Sequence, residues 1–113
     1  MDTREPTFRH VVIDADPPGS QLDAHLIGAL AGNGLNDIVI GTKEGECNLF
    51  WYENPTWECH RIAHSPQLEA GGLLLDLTGN GRLDILVGQQ IRGNELYWFE
   101  QPDDPRTPWT RHL

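Results

Sequence analysis

The segment DLTGNGRLDILVG at residues 76–88 has a similar second copy in the chain, and this repetition decides the fold. The other copy is ALAGNGLNDIVIG at residues 29–41, so that equivalent residues lie 47 positions apart. Each copy has a Gly-Asn-Gly turn, then an Asp, then an aliphatic run that ends in glycine. Glycine and asparagine favour turns, and short aliphatic or β-branched runs favour strands. The segment therefore predicts a turn and a β-strand that are used twice.

Two further motifs follow the same repeat. NLFWYENP at residues 48–55 matches ELYWFEQP at residues 95–102, again 47 positions apart. WECH and WTRH, at residues 57–60 and 109–112, match after an insertion at 103–107, which we expect to form a loop tip. A partial copy, FRHVVI, lies at residues 8–13. Repeats of this length are typical of propellers, solenoids and arrays.

Each copy has four candidate strands, and no helical periodicity competes with them. Residues 48–53 and 95–100 are apolar without alternation, which indicates strands that are covered on both faces. We predict an all-β fold of two four-stranded propeller blades with one additional outer strand at 8–13. The expected divisions are an N-terminal segment at 1–23, a first blade at 24–69 and a second blade at 70–113. The expected strands are 24–30, 37–41, 48–53 and 57–62, then 70–77, 84–88, 95–100 and 109–113.

The loop at 76–84 resembles the Asp-x-Asp-Gly-Asp-Gly-x-x-Asp loop of the FG-GAP/VCBS propeller repeats. The Leu-Tyr-Trp-Phe-Glu and Trp-x-x-His elements are also similar to those of this family, and the resemblance covers nearly all of the chain after residue 7. It implies a propeller of more than two blades, commonly seven. Two blades would then be completed by oligomerisation or by the rest of a longer polypeptide, so the expected partners are further copies of the chain or further blades.

The resemblance also implies calcium in one loop. Calcium takes six to eight oxygen ligands, and the matching positions supply a set of carboxylate, hydroxyl, amide and carbonyl oxygens. They belong to Asp76, Thr78, Asn80, Arg82 (through its carbonyl) and Asp84. The first copy has Ala29 and Ala31 at two of these positions, so we predict one calcium ion per chain. The alternative is that both loops are Asn-Gly turns in which the final Asp caps the backbone.

Composition restricts the partners. The formal charge of −9 leaves no basic stripe, which argues against nucleic acid and anionic membrane surfaces. The charged start of the chain does not resemble a signal peptide, and no apolar run is long enough for a membrane helix, so we expect a soluble chain without assigning a compartment. Cys47 and Cys59 would be out of register across the predicted hairpin, and we expect two free thiols.

Three functions are compatible with these observations. The first is a non-catalytic binding or interaction module, with carbohydrate as a candidate ligand and calcium as a structural ion. The second is part of a sugar-processing enzyme of the dehydratase or polysaccharide lyase type, in which His25 is the candidate base because its repeat equivalent is Gly72. The third is a truncated or engineered propeller fragment without activity of its own. His60 and His112 recur after a Trp, which favours a structural role.

Overall fold

The computed structural model of the protein describes residues 7–89 and 93–113, and within these ranges every regular element is a β-strand. The eight strands are β1 (Gly19–Gly28), β2 (Asp37–Gly45), β3 (Leu49–Glu53), β4 (Glu58–Ala63), β5 (Leu68–Leu75), β6 (Asp84–Gln89), β7 (Leu96–Glu100) and β8 (Thr110–His112). They form two four-stranded antiparallel sheets, sheet A in the order β1-β2-β3-β4 and sheet B in the order β5-β6-β7-β8. The all-β prediction with two four-stranded sheets is confirmed.

Residues 47 positions apart in the first three strands, and 52 positions apart in the fourth, occupy equivalent places in the two sheets. Across sheet A, one line of paired residues forms what we call the Trp51 row: Leu26, Val39, Trp51 and His60. Its equivalent in sheet B is the Trp98 row: Leu73, Leu86, Trp98 and His112. Because side chains alternate between the faces of a strand, the neighbouring rows point the opposite way. These are the Tyr52 row (Ile27, Ile38, Tyr52 and Cys59) and the Phe99 row (Leu74, Ile85, Phe99 and Arg111).

The main core forms where the Trp51 row of sheet A meets the Phe99 row of sheet B. Val39, Trp51, Ile85 and Phe99 belong to one hydrophobic cluster, and each is at most 1% exposed. Strand β3 buries Trp51 in this core and Phe50 in a second cluster on the other face. The continuous apolar pattern of β3 therefore has the predicted cause, which is cover on both faces.

The two sheets stack head to tail. The Trp51 row faces sheet B, but its equivalent, the Trp98 row, lies on the face of sheet B that points away from sheet A. Leu73 in that row is 58% exposed, and Leu86 and Trp98 are partly exposed. Two sheets related by a two-fold axis would bury the same row on both. Here equivalent rows have opposite environments.

The predicted outer strand at residues 8–13 is wrong. This segment contains no strand, and Phe8 and Val12 are largely exposed. The equivalent strands β4 and β8 pair with β3 and β7, which precede them in the chain. Among residues 7–89 and 93–113 no strand precedes 8–13, so this segment lacks the hairpin partner that β4 and β8 have. The first strands of both sheets also begin earlier than expected, β1 at Gly19 and β5 at Leu68.

The insertion at 103–107 connects the two sheets. Trp51 Nε1 donates a hydrogen bond to the Pro105 carbonyl at 3.0 Å, and Trp109 Nε1 donates to the same oxygen at 2.8 Å. The Arg106 guanidinium donates two hydrogen bonds to the Glu53 carboxylate, at 2.8 and 2.6 Å. The five additional residues therefore contribute an inter-sheet contact as well as a loop.

The Glu53–Arg106 pair predicts a specific pH dependence. Arg106 holds the pKa of Glu53 below its ordinary value of 4.5, so the pair stabilises the fold above that pH and loses its contribution as the pH falls through the lowered folded value. We expect Arg106→Gln to reduce the free energy of unfolding at pH 7, with the difference from the parent shrinking below about pH 4. Urea unfolding across this pH range measures it.

The matched control is Arg61→Gln. Arg61 is 59% exposed and lies 3.8 Å from a largely exposed Glu46, so its removal should change stability little at any pH. Equal effects of the two substitutions would contradict a specific role for Arg106.

Candidate functional site

The two Gly-Asn-Gly loops share one backbone conformation. Gly32, Gly34, Gly79 and Gly81 all have φ between 77° and 82°, the left-handed region that glycine adopts without a steric cost. A Cβ at any of the four would meet no atom within 4 Å, so the backbone conformation rather than crowding requires glycine. The loop shape is therefore set by the glycines in both copies, independently of the residues that differ between them.

The aspartate that ends each loop is a buried structural acceptor. Asp37 and Asp84 are both 0% exposed. Asp37 Oδ2 accepts from the backbone N–H groups of Leu30 and Ala31, at 2.7 and 3.2 Å, while Oδ1 accepts from that of Asn54 at 2.9 Å. The carboxylate thus fastens the start of its loop to the residue after the third strand.

Asp84 makes the equivalent contacts in sheet B. Its Oδ2 accepts from Leu77 N–H at 3.0 Å, and its Oδ1 accepts from Gln101 N–H at 2.9 Å. Leu77 and Gln101 lie 47 positions after Leu30 and Asn54. The recurring Asp therefore has the same backbone role in the copy that has alanines at 29 and 31 as in the copy with the oxygen-rich loop.

Asp76 is the residue that distinguishes the second loop. Its carboxylate accepts hydrogen bonds from three backbone N–H groups, those of Gly79 (2.8 Å), Asn80 (3.2 Å) and Gly81 (2.7 Å). These donors, Gly81 foremost, hold the pKa of Asp76 below its ordinary value, because they stabilise the charged carboxylate. Ala29 has no carboxylate to accept such bonds in the first loop.

The predicted calcium ligands lie within a single loop, but backbone donors engage most of their oxygens. Both Asp84 oxygens and both Asp76 oxygens accept N–H groups, and Asn80 Oδ1 accepts from Arg82 N–H at 3.0 Å. An ionised carboxylate has about four lone-pair sites, so each keeps acceptor capacity for a cation. In the part of the chain that the structure describes, no group of three or more His, Cys, Asp or Glu side chains could hold a metal. The observed hydrogen bonds are those of an Asn-Gly turn capped by aspartate. The oxygen atoms of the predicted ligands are of the types that calcium binds.

His25 does not form a catalytic cluster with the described residues. It is exposed on β1, and its Nδ1 lies 3.3 Å from the Asp23 carbonyl oxygen. That carbonyl is the one hydrogen-bond partner of its ring within residues 7–89 and 93–113. A general base needs a neighbouring group that orients its ring or a substrate site beside it. The Asp23 carbonyl is a backbone group, so no described side chain orients the His25 ring.

The recurring histidines pair with the recurring glutamates. His60 Nε2 donates to Glu53 Oε1 at 2.9 Å, and His112 Nε2 donates to Glu100 Oε1 at 3.0 Å. Each imidazole also lies beside the Trp of its row, with ring centroids 4.8 Å apart for Trp51 and 4.2 Å for Trp98. These contacts explain why the Trp, His and Glu recur together. Cys47 and Cys59 are free thiols.

A segment before β1 packs against sheet A, a contact that the sequence did not predict. Residues 11–17, which we call the cover segment, lie against the Tyr52 row of sheet A. Tyr52 O–H donates to Asp14 Oδ2 at 2.6 Å. This bond lowers the pKa of Asp14, while burial and the same bond raise the pKa of Tyr52.

An open apolar pocket of about 250 Å³ lies between the cover segment and sheet A. Val11, Ile13 and Pro17 line it from one side, and Ile38, Ile40 and Phe50 line it from sheet A. The sequence signal for this segment is the apolar run at 11–13, which predicts an outer strand and not a cover on sheet A.

Comparison of the chain with protein-family models, with curated proteins and with solved structures finds no match in any of the three. Within the described residues, no helix is long and apolar enough to cross a membrane.

Proposed function

We propose that the chain is a non-catalytic interaction module, made of two FG-GAP/VCBS-type propeller blades that bind further blades of the same kind. The observation that carries this proposal is the head-to-tail stacking. Sheet A buries its Trp51 row against sheet B, whereas the equivalent Trp98 row of sheet B carries the same kinds of side chain without a cover. Head-to-tail contacts can repeat, and they close into a ring when the rotation between units allows it.

The face of sheet B that carries the Trp98 row, which we call the free face, exposes the apolar side chains of an interaction surface. The Trp98 row places Leu73, Leu86 and Trp98 side by side, and Leu96, on the same sheet, is 57% exposed. Contiguous exposed apolar side chains are typical of surfaces that bind a partner. The equivalent surface of sheet A is buried in the main hydrophobic cluster, where it packs against sheet B.

The other two functions have less support. For a sugar-processing enzyme, His25 would need an orienting partner, and the described residues provide only a backbone carbonyl. Carbohydrate binding stays a prediction from the sequence: Trp51 is buried, and Trp98 is stacked on His112.

The proposed function is tested by the size of the protein in solution. We expect light scattering and sedimentation at micromolar concentration to detect particles larger than the 12.7 kDa chain. A folded chain that stays monomeric up to hundreds of micromolar would contradict the proposal.

We also propose one structural calcium ion per chain, in the loop 76–84. Thr78→Val removes a candidate ligand oxygen while leaving the hydrogen bonds of Asp76 in place, so it should weaken calcium binding in a calorimetric titration. If calcium binds only the folded protein, saturation at 100 times its dissociation constant should raise the free energy of unfolding by about 2.7 kcal/mol.

The control is Asn33→Ala in the first loop, which should leave the calcium titration unchanged. Two calcium ions per chain, or a titration that Thr78→Val does not alter, would contradict the assignment of the ion to this loop.

A further inference from the structure

We infer that the partner of the free face of sheet B is a second copy of this chain, and that the cover segment must leave sheet A for the two copies to join. In this contact the Trp98 row of one copy would pack against the Tyr52 row of the next. The inference rests on the proposed function and adds to it the identity of the partner and a device that controls binding.

The contact between the sheets within the chain shows what the Trp98 row should bind. Its equivalent, the Trp51 row, is covered by the Phe99 row of sheet B. The row of sheet A that is equivalent to the Phe99 row is the Tyr52 row. In it Ile38 matches Ile85 and Tyr52 matches Phe99. A second copy therefore offers to the Trp98 row the same kind of surface that the first interface already uses.

The cover segment occupies this receiving surface, and it packs there poorly. An open pocket of about 250 Å³ remains between the segment and sheet A, so part of the apolar lining stays accessible to water. Val11 is 58% exposed and Ile27, in the Tyr52 row itself, is 68% exposed. Beneath the segment Ile38 is partly buried and Tyr52 is 5% exposed, whereas their equivalents Ile85 and Phe99 are both 0% exposed under sheet A. A sheet would cover this surface more completely than the segment does.

The Tyr52 hydroxyl is the specific feature that favours the covered state. Its equivalent in the sheet–sheet core, Phe99, has no hydroxyl, and Asp14 is the acceptor of the Tyr52 hydrogen bond. When a sheet replaces the cover segment, the hydroxyl loses Asp14 and becomes a buried donor without an acceptor. Tyr52 therefore both holds the segment in place and disfavours the second copy.

The test uses the full chain and the substitution Tyr52→Phe, which installs the residue found at the equivalent position in sheet B. Removing a hydrogen bond to a charged acceptor should lower the concentration for half-association roughly tenfold. Sedimentation equilibrium of parent and variant measures this, and near-ultraviolet circular dichroism checks that both are folded.

A second substitution locates the other half of the contact. Leu73→Glu, added to Tyr52→Phe, places a charge in the Trp98 row and should return the protein to a monomer. The matched control is Leu35→Glu in the same background. Leu35 is 41% exposed in the first loop, away from both rows, and the control adds the same charge, so association should persist.

The outcomes separate the inference from the proposed function. Association that does not depend on Tyr52 would contradict the role of the cover segment. Association that survives Leu73→Glu would contradict the Trp98 row as the docking surface. Both results leave the interaction module intact, whereas a monomer in the parent and in Tyr52→Phe alike would contradict the proposed function itself and, with it, the inference.

Discussion

Asp37→Ala is expected to lower the free energy of unfolding by about 4 kcal/mol, because it leaves one buried and two part-buried backbone N–H groups without their acceptor, and a buried donor without an acceptor costs about 1–3 kcal/mol. The Asp37 carboxylate is inaccessible to solvent and serves Leu30, Ala31 and Asn54 together. A loss of this size approaches the total stability of a small domain, about 5–15 kcal/mol. Urea unfolding followed by tryptophan fluorescence measures it.

Two controls isolate the buried carboxylate. Asp76→Ala also removes a carboxylate that accepts three backbone N–H groups, but that loop is exposed, so water replaces the lost acceptor and the loss of stability should be much smaller. Asp37→Asn keeps one acceptor oxygen and should fall between the parent and Asp37→Ala. Similar effects of Asp37→Ala and Asp76→Ala would show that burial does not set the cost.

Trp51→Ala is expected to cost about 3–5 kcal/mol, the range for removing a large aromatic side chain from a core. Trp51 is 0% exposed, lies in the inter-sheet cluster and donates a hydrogen bond to Pro105. Its removal opens a cavity between the sheets and leaves that carbonyl with one donor instead of two. Thermal and urea unfolding both report the change.

The matched substitution is Trp98→Ala, at the equivalent position of sheet B. We expect a smaller loss, because Trp98 is partly exposed and its indole stacks on His112 instead of filling the core. The comparison is made in the Leu73→Glu background, which keeps the Trp98 row uncovered. Equal losses at the two positions would mean that sheet B is covered as sheet A is, and the stacking described above would be wrong.

The sequence predicted the sheets well because their signals are local. The apolar runs at β2, β3, β6 and β7, together with the Gly-Asn-Gly turns, appear as strands and turns near the predicted residues. A run that can pair with its neighbour in the chain needs no distant partner to form a hairpin. The segment 8–13 has the same local composition but no preceding strand to pair with among the described residues, and there the local signal gave the wrong answer.

The candidate site was predicted in part. The loop, its glycines and the recurring Asp were identified from the sequence, and the alternative of a capping Asp matches the observed contacts of Asp37 and Asp84. The acceptor role of Asp76 toward three N–H groups depends on the loop conformation and was not evident. The Tyr52–Asp14 bond joins residues 38 positions apart, and no local pattern links them.

The sequence alone determined that this protein has two equivalent sheets, because strand and turn signals are local and the same signals recur after 47 residues. Only the tertiary structure decided which of the equivalent rows is buried. Trp51 and Trp98 have the same sequence context, yet one is buried and the other is partly exposed, because sheet B covers sheet A and no described residue covers sheet B in turn. Burial depends on which surface lies opposite, and that is a property of the assembled fold.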